Sequence, residues 1–380
     1  MPKRIVYVAT HAWRSPVRVG SHHLARAMSR HNQVLYLSHP ISIRSIFSRA
    51  DNQLGIRLKL WKDGVVDVPG EQNLTEANWI MPFAPSPKWR GNSSTLHSIC
   101  WRWCFPKPKK VFERYGFDRP DELWLDSFFQ NYWVELLQPK KLFMRVADHP
   151  QYIASMSREM LSEYQQSLQR AERIITPTPA IADFLKQLTD SPVDVVPNGV
   201  DLLHFSGNPA CPPEYEADPQ PKIVFIGALA DWIDIELIKA VAVMCKDLSF
   251  YLIGPNHNQK IDSMPTNVKL LGSRPYADLP MYLKHAQVAI APFDVDKQKE
   301  FVESIDAIKL YEYVAAGIPT VATEWRQSRS LRPYVKTANQ NAMEFSAAIR
   351  EAIKHPNLHV APETERSNLD WSSRLEILNL

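Results

Sequence analysis

Glycine is scarce in this chain, 12 in 380 residues, and nowhere forms a GxGxxG run. That run lets a dinucleotide's pyrophosphate reach a helix N-terminus, so its absence removes the usual support for nicotinamide chemistry. Cysteine is equally sparse. Cys100, Cys104, Cys211 and Cys245 form no CxxC and have no histidine pair at ligand spacing, which argues against a zinc site or a disulfide framework and for four free thiols. No apolar stretch reaches the ~18 residues that a membrane span needs. The opening residues run into a strand pattern too short for a signal peptide, so the expected compartment is the cytoplasm. Acid is missing altogether from residues 1–50, which carry eight Lys or Arg.

What is present is an ordinary globular composition, 45% hydrophobic and 22% charged, in a chain long enough for two cores. The net charge of +3 hides a division. Residues 1–205 hold 26 basic against 19 acidic side chains (+7), and residues 206–380 hold 18 against 22 (−4). A basic half suits a phosphorylated substrate, an anionic membrane or nucleic acid. No helix-turn-helix, RNP or zinc signature accompanies it, so nucleic acid is not expected.

Apolar runs at 3–10 and 32–38 enclose a helical pattern at 21–30, the β-loop-α-β order of a parallel sheet. Further strands are expected at 122–125, 141–146, 173–176 and 193–196. Residues 206–221 contain five prolines without periodicity and read as a linker. The alternation then restarts, with strands at 222–227, 249–253, 268–271, 288–291 and 320–322 and helices near 233–244, 279–285 and 307–316. The expected organisation is an N-terminal domain over 1–205, a linker at 206–221 and a second domain over 222–360. Two such α/β units favour Rossmann-like domains with a cleft between them.

The most informative segment is 304–323, SIDAIKLYEYVAAGIPTVAT. Lys309 and Glu312 fall on one helical face, as a cation for a diphosphate and a carboxylate for ribose hydroxyls would, or as a plain surface ion pair. The segment resembles the donor site of GT-B glycosyltransferases. The flanking pieces stand in the same order: Pro197-Asn198-Gly199-Val200-Asp201, Phe225-Ile226-Gly227, Leu271-Gly272-Ser273-Arg274 and Ala291-Pro292-Phe293. The resemblance implies two parallel-sheet domains facing across a deep cleft, a final helix at 361–380 crossing back to the first domain, and a nucleotide-sugar donor, UDP-linked. It also implies donor contacts from Lys309, Glu312, Ser273, Arg274, Tyr276, Gly227, Phe293, Asp306 and Tyr311, with no cofactor and no metal. Asp294-Val295-Asp296 imitates a DxD metal motif, but it follows a strand of the second unit, where this fold neutralises phosphate with protein groups.

Retaining members of the fold carry Glu where Ser304 stands, and many place Arg or Lys in the loop that here reads Ala228-Leu229-Ala230-Asp231-Trp232. The sequence is more similar to the inverting glucuronosyltransferase of xanthan assembly, over 270–293 and at Lys309-Leu310. That resemblance implies Asp148, ending KLFMRVAD, as the catalytic base, and His11, Trp13 and Arg14 of the loop 10–16 as acceptor contacts. Asp148 would alternatively cap the next helix. Trp101-Arg102-Trp103 and Lys107 to Lys110 interleave aromatics with cations, which suits a peripheral position at the inner face of a membrane and a glycan or polyprenyl-diphosphate-linked acceptor. The expected activity is sugar transfer in polysaccharide or envelope biosynthesis. A retaining hexosyltransferase, a sugar-nucleotide epimerase and a non-catalytic nucleotide-sugar or lipid-binding protein are the alternatives.

Overall fold

The computed structural model describes residues 2–15, 18–47, 54–82, 99–127, 129–152, 158–256, 261, 263–358 and 360–378. Pro16 of the expected acceptor loop and Arg49 of the acid-free segment lie outside them. The chain divides into two units, Met1–Pro197 and Asn198–Leu378.

The first unit is built on eight strands: β1 (Arg4–Ala9), β2 (Gln33–Leu37), β3 (Val66–Asp67), β4 (Leu74–Ala77), β5 (Glu122–Asp126), β6 (Lys141–Arg145), β7 (Arg173–Thr176) and β8 (Val193–Val195). Their order is β3-β4-β2-β1-β5-β6-β7-β8, parallel except for the β3–β4 pair. Ile5 through Ala9 are buried because β1 lies in mid-sheet with both faces covered, so the strand reads as a continuous apolar run. The register sets Tyr36, Tyr7, Trp124 and Phe143 side by side across β2, β1, β5 and β6, with ring centroids 6.0, 6.3 and 4.8 Å apart. Short β3 and β4 escape the sequence reading because β4, LTEA, places a buried glutamate where alternation expects an apolar residue.

The second unit has six strands: β9 (Lys222–Ile226), β10 (Ser249–Ile253), β11 (Val268–Gly272), β12 (Val288–Ala291), β13 (Thr320–Thr323) and β14 (Lys336–Ala338). Their order is β11-β10-β9-β12-β13-β14, with every pairing parallel. The boundary falls at Pro197/Asn198, ahead of the proline-rich segment. Residues 206–221 are not a free tether: the helix Pro213–Glu216 buries Tyr215, and Asp218 accepts hydrogen bonds from Tyr251 (2.8 Å) and Lys269 (2.7 Å) of β10 and β11. The last described helix, Trp371–Glu376, also stays with this unit. Just before it, Asp370 pairs with Val200 and accepts the Leu202 amide at 3.1 Å.

Candidate functional site

In the second sheet the direction of strand succession reverses beside β9, whose neighbours are β10 and β12. Ligands of open parallel sheets bind at the carboxyl ends of strands beside such a reversal. Gly227 follows β9 and Phe293 follows β12 at that edge. The helix Ile308–Ala316 begins near it, its first turn bracketed by Gln327, which accepts the Ala307 amide (2.7 Å) and donates to the Ala307 carbonyl (3.0 Å). Leu310, Tyr313 and Val314 bury the core side of this helix, and Gly317, at φ +71°, ends it.

Lys309 leaves the first turn with its ammonium 4.4 Å from the centroid of Phe225 and 5.1 Å from that of Phe293. Two aromatic faces hold a partly desolvated cation there. A Cβ on Gly227 would stand 2.4 Å from the Lys309 Nζ and displace the ammonium, and the φ of +148° is one that favours glycine. Gly254, at the end of β10, packs closer still, its imagined Cβ 1.9 Å from the Gly227 carbonyl oxygen. Burial pushes the Lys309 ammonium down to about 8, against the pull of the Glu312 charge. Burial likewise pushes the Glu312 carboxyl up to about 7, opposed by Lys309 and by the neighbouring Tyr276 hydroxyl. The Tyr276 ring stacks on His204 at 4.3 Å, and the His204 ring nitrogen meets the Tyr276 carbonyl at 2.9 Å.

The structure therefore brings Gly227, Phe293, Lys309, Glu312 and Tyr276 together. Phe293 is buried beneath the ammonium and serves as its floor. Ser273 is exposed just after Gly272, which has φ +65°. Arg274 is engaged elsewhere: it donates to Glu214 (3.0 Å), to the Tyr282 hydroxyl (3.1 Å) and to the Leu271 carbonyl (2.7 Å). Asp306 and Tyr311 are buried and joined to each other at 3.0 Å. Asp306 also accepts the Asn198 amide at 2.7 Å, so its carboxylate ties the entry of the unit to this helix.

In the first sheet the reversal lies at β1, between β2 and β5. His11 follows β1 and Asp148 follows β6 at the same edge, close enough that each charge shifts the other's proton affinity. Asp148 is open to water at the end of KLFMRVAD, and among the described residues nothing hydrogen-bonds its carboxylate, including the short helical turn Pro150–Tyr152 that it was a candidate to cap. Protein packed around it raises its proton affinity, and Arg145 and His11 oppose that rise. Arg145 is itself buried against Asp126 at 2.9 Å, and Tyr7 donates to the same oxygen at 3.1 Å.

Trp13 is a core residue, 3% exposed, with its ring edge-on to Tyr36 at 5.2 Å, so its indole packs inward and is not offered to an acceptor. Its amide donates to Glu76 at 2.6 Å, and Arg14 lies 3.8 Å from the other Glu76 oxygen. Glu76, buried and pushed up to about 7, thus anchors the loop; the sequence reading passed over it for want of any periodic signal. Gly254 and His204 were also missed, and only a search for glycines at strand ends would have found the first. Asp294 of the DxD imitation accepts the Lys297 amide and Gln340, each at 3.0 Å. Among the described residues no three His, Cys, Asp or Glu cluster as metal ligands, and no helix is long and apolar enough to cross a membrane.

Residues 220–355 match the family described as glycosyl transferases group 1. A Bacillus subtilis (strain 168) protein named as a teichuronic acid biosynthesis glycosyltransferase is 27% identical over 239 residues, 56% of this chain and 59% of that one. The chain thus spans about three fifths of the length of the curated relative it matches. The sucrose-phosphate synthase of Thermosynechococcus elongatus superposes with a TM-score of 0.65 at 14% identity, covering 100% of this chain and 94% of that one. HepE of Anabaena, in complex with UDP-glucose, superposes with 0.66 at 12% identity, covering 99% of each chain. The chain has the two parallel-sheet units of the GT-B fold, and it is the second of them that carries the match to glycosyl transferases group 1.

Proposed function

We propose that this protein is a glycosyltransferase that moves a hexose or hexuronate from a UDP-linked donor to a hydroxyl of a glycan or lipid-linked glycan, in polysaccharide or envelope assembly. The observation that carries the reading is the Lys309 ammonium, held over Gly227 between two aromatic rings, with Glu312 one turn on. A diphosphate is the ligand that this cation suits, and the ribose hydroxyls suit the carboxylate. The bound UDP-glucose of HepE and the teichuronic acid role named for the Bacillus protein support the same donor class and setting.

Transfer inverts the anomeric centre. The acceptor oxygen attacks the anomeric carbon from the face opposite UDP, and Asp148 takes its proton. The bond from that carbon to the diphosphate oxygen breaks, and UDP leaves with the electron pair, its charge met by Lys309 without a metal ion. His11 and Arg14 face the acceptor, and the basic first unit works at an anionic membrane surface on the cytoplasmic side. The test is turnover of a UDP-sugar panel with glycan acceptors by wild type, Asp148→Asn and Lys309→Met. Loss of about 10²–10⁴-fold is expected for the base variant. Full transfer by both folded variants overturns the assignment, and conversion of the donor without acceptor turns it toward an epimerase. An axial product from an axial donor, read from the anomeric proton by NMR, refutes inversion.

A further inference from the structure

The first unit carries a concavity whose lining includes none of His11, Trp13, Arg14 and Asp148. It encloses about 380 Å³ beside the helix Pro108–Tyr115. Trp61, Val65, Trp79, Phe105, Val111 and Tyr115 line its apolar wall. Lys110 and Arg114, four residues apart and so on one side of the helix, and Lys107 at its N-cap complete it, and no acidic residue is among its described lining residues. Lys107 donates to the Arg102 carbonyl at 2.6 Å. Lys110 and Arg114 make no ion pair among the described residues.

The rim is apolar where solvent would favour polar groups. Phe105 is 64% exposed, although its backbone is fixed by two hydrogen bonds with Ile80 and one from the Trp61 indole. Trp103 and Tyr115 are exposed beside it. The bridges Ile41–Ile80 and Ile80–Phe105 set three segments side by side, and from the first of them departs the helix Ile43–Phe47, which exposes Ile43, Ile46 and Phe47. Clustered apolar exposure of this kind marks an interaction surface. Three cations with no acid among them select an anionic partner, and indole and phenol rings among cations match the headgroup zone of a bilayer.

We infer that this groove docks on an anionic lipid bilayer, taking lipid hydrocarbon into the apolar slot while Lys107, Lys110 and Arg114 meet headgroup phosphates. The inference deepens the membrane element of the proposed function and is measured without donor or acceptor. The experiment is co-sedimentation of the full chain with phosphatidylcholine vesicles, with and without phosphatidylglycerol, at low and high salt. Wild type binds the phosphatidylglycerol vesicles and releases them as salt rises. Lys110→Gln/Arg114→Gln lowers partitioning about 25-fold, from about fivefold per cation. Phe105→Ser lowers it while leaving the salt dependence in place. UDP binding, read by calorimetry on the same variants, stays unchanged, so failure of docking is told apart from failure of the donor reading. Wild type that ignores anionic vesicles at low salt, or variants that bind them as wild type does, overturns the inference. So does self-association that the same variants abolish while vesicles are ignored, which would assign the face to a second copy.

Discussion

Replacing Gly227 by alanine tests the donor site without touching a charge. The new methyl would lie 2.4 Å from the Lys309 Nζ and 2.8 Å from its Cε, where ordinary contact begins near 3.4 Å. The ammonium must therefore retreat by about 1 Å, and a misplacement of that size costs roughly 10²-fold in rate. Lysine's far end is flexible, so the displacement itself is cheap in stability. The remaining cost is the φ of +148°, which L residues rarely adopt and which carries about 1–3 kcal/mol. At roughly 2–4 °C per kcal/mol for a unit of this size, the apparent Tm falls by about 2–12 °C. Gly254→Ala is the comparator: its methyl meets backbone, 1.9 Å from the Gly227 carbonyl oxygen, and nothing there can swing aside. That variant should lose far more stability. The assay is UDP affinity by calorimetry with turnover of the folded protein. Gly227→Ala with wild-type affinity and rate would refute the placement of the diphosphate at Lys309.

The site's proton affinities set a pH profile. Glu312 takes up a proton as pH falls below about 7, and Lys309 loses one as pH rises above about 8, so UDP affinity peaks between these and declines on both sides. Above about 8, anion binding restores the Lys309 proton, and calorimetry in buffers of different ionisation enthalpy should register proton uptake. Asp306→Ala leaves the buried Asn198 amide and the Tyr311 hydroxyl without their acceptor, a loss of about 1–3 kcal/mol for each unsatisfied group, visible as a lower Tm and faster amide exchange at Asn198. If Lys309 supplies the positive charge as proposed, a strong chelator leaves turnover intact, and loss restored by a divalent ion would contradict that role.

The sequence by itself determined the strands and helices that are locally periodic. Continuous apolar runs such as KIVFI and VAIA read as buried parallel strands because both faces of a central strand meet helices. The spacing of Lys309 and Glu312 placed them on one helical face, and Asp148 stood at a strand end. Tertiary structure decided the rest. That Phe225, Gly227 and Phe293 surround one ammonium follows from β9 pairing with β12, a neighbour some sixty residues away in sequence, and no local pattern encodes that choice. The pairing of β9 with its other neighbour, β10, places Gly254 against Gly227, and burial removes the water that would otherwise hold Lys309 and Glu312 at their ordinary proton affinities. In the first unit the parallel partnership of β2 with β4 carries Glu76 under the loop after β1 and engages Trp13 and Arg14 from below. A helix or strand is dictated by neighbours a few residues away, whereas burial, charge pairing and proton affinity depend on which distant strands lie side by side.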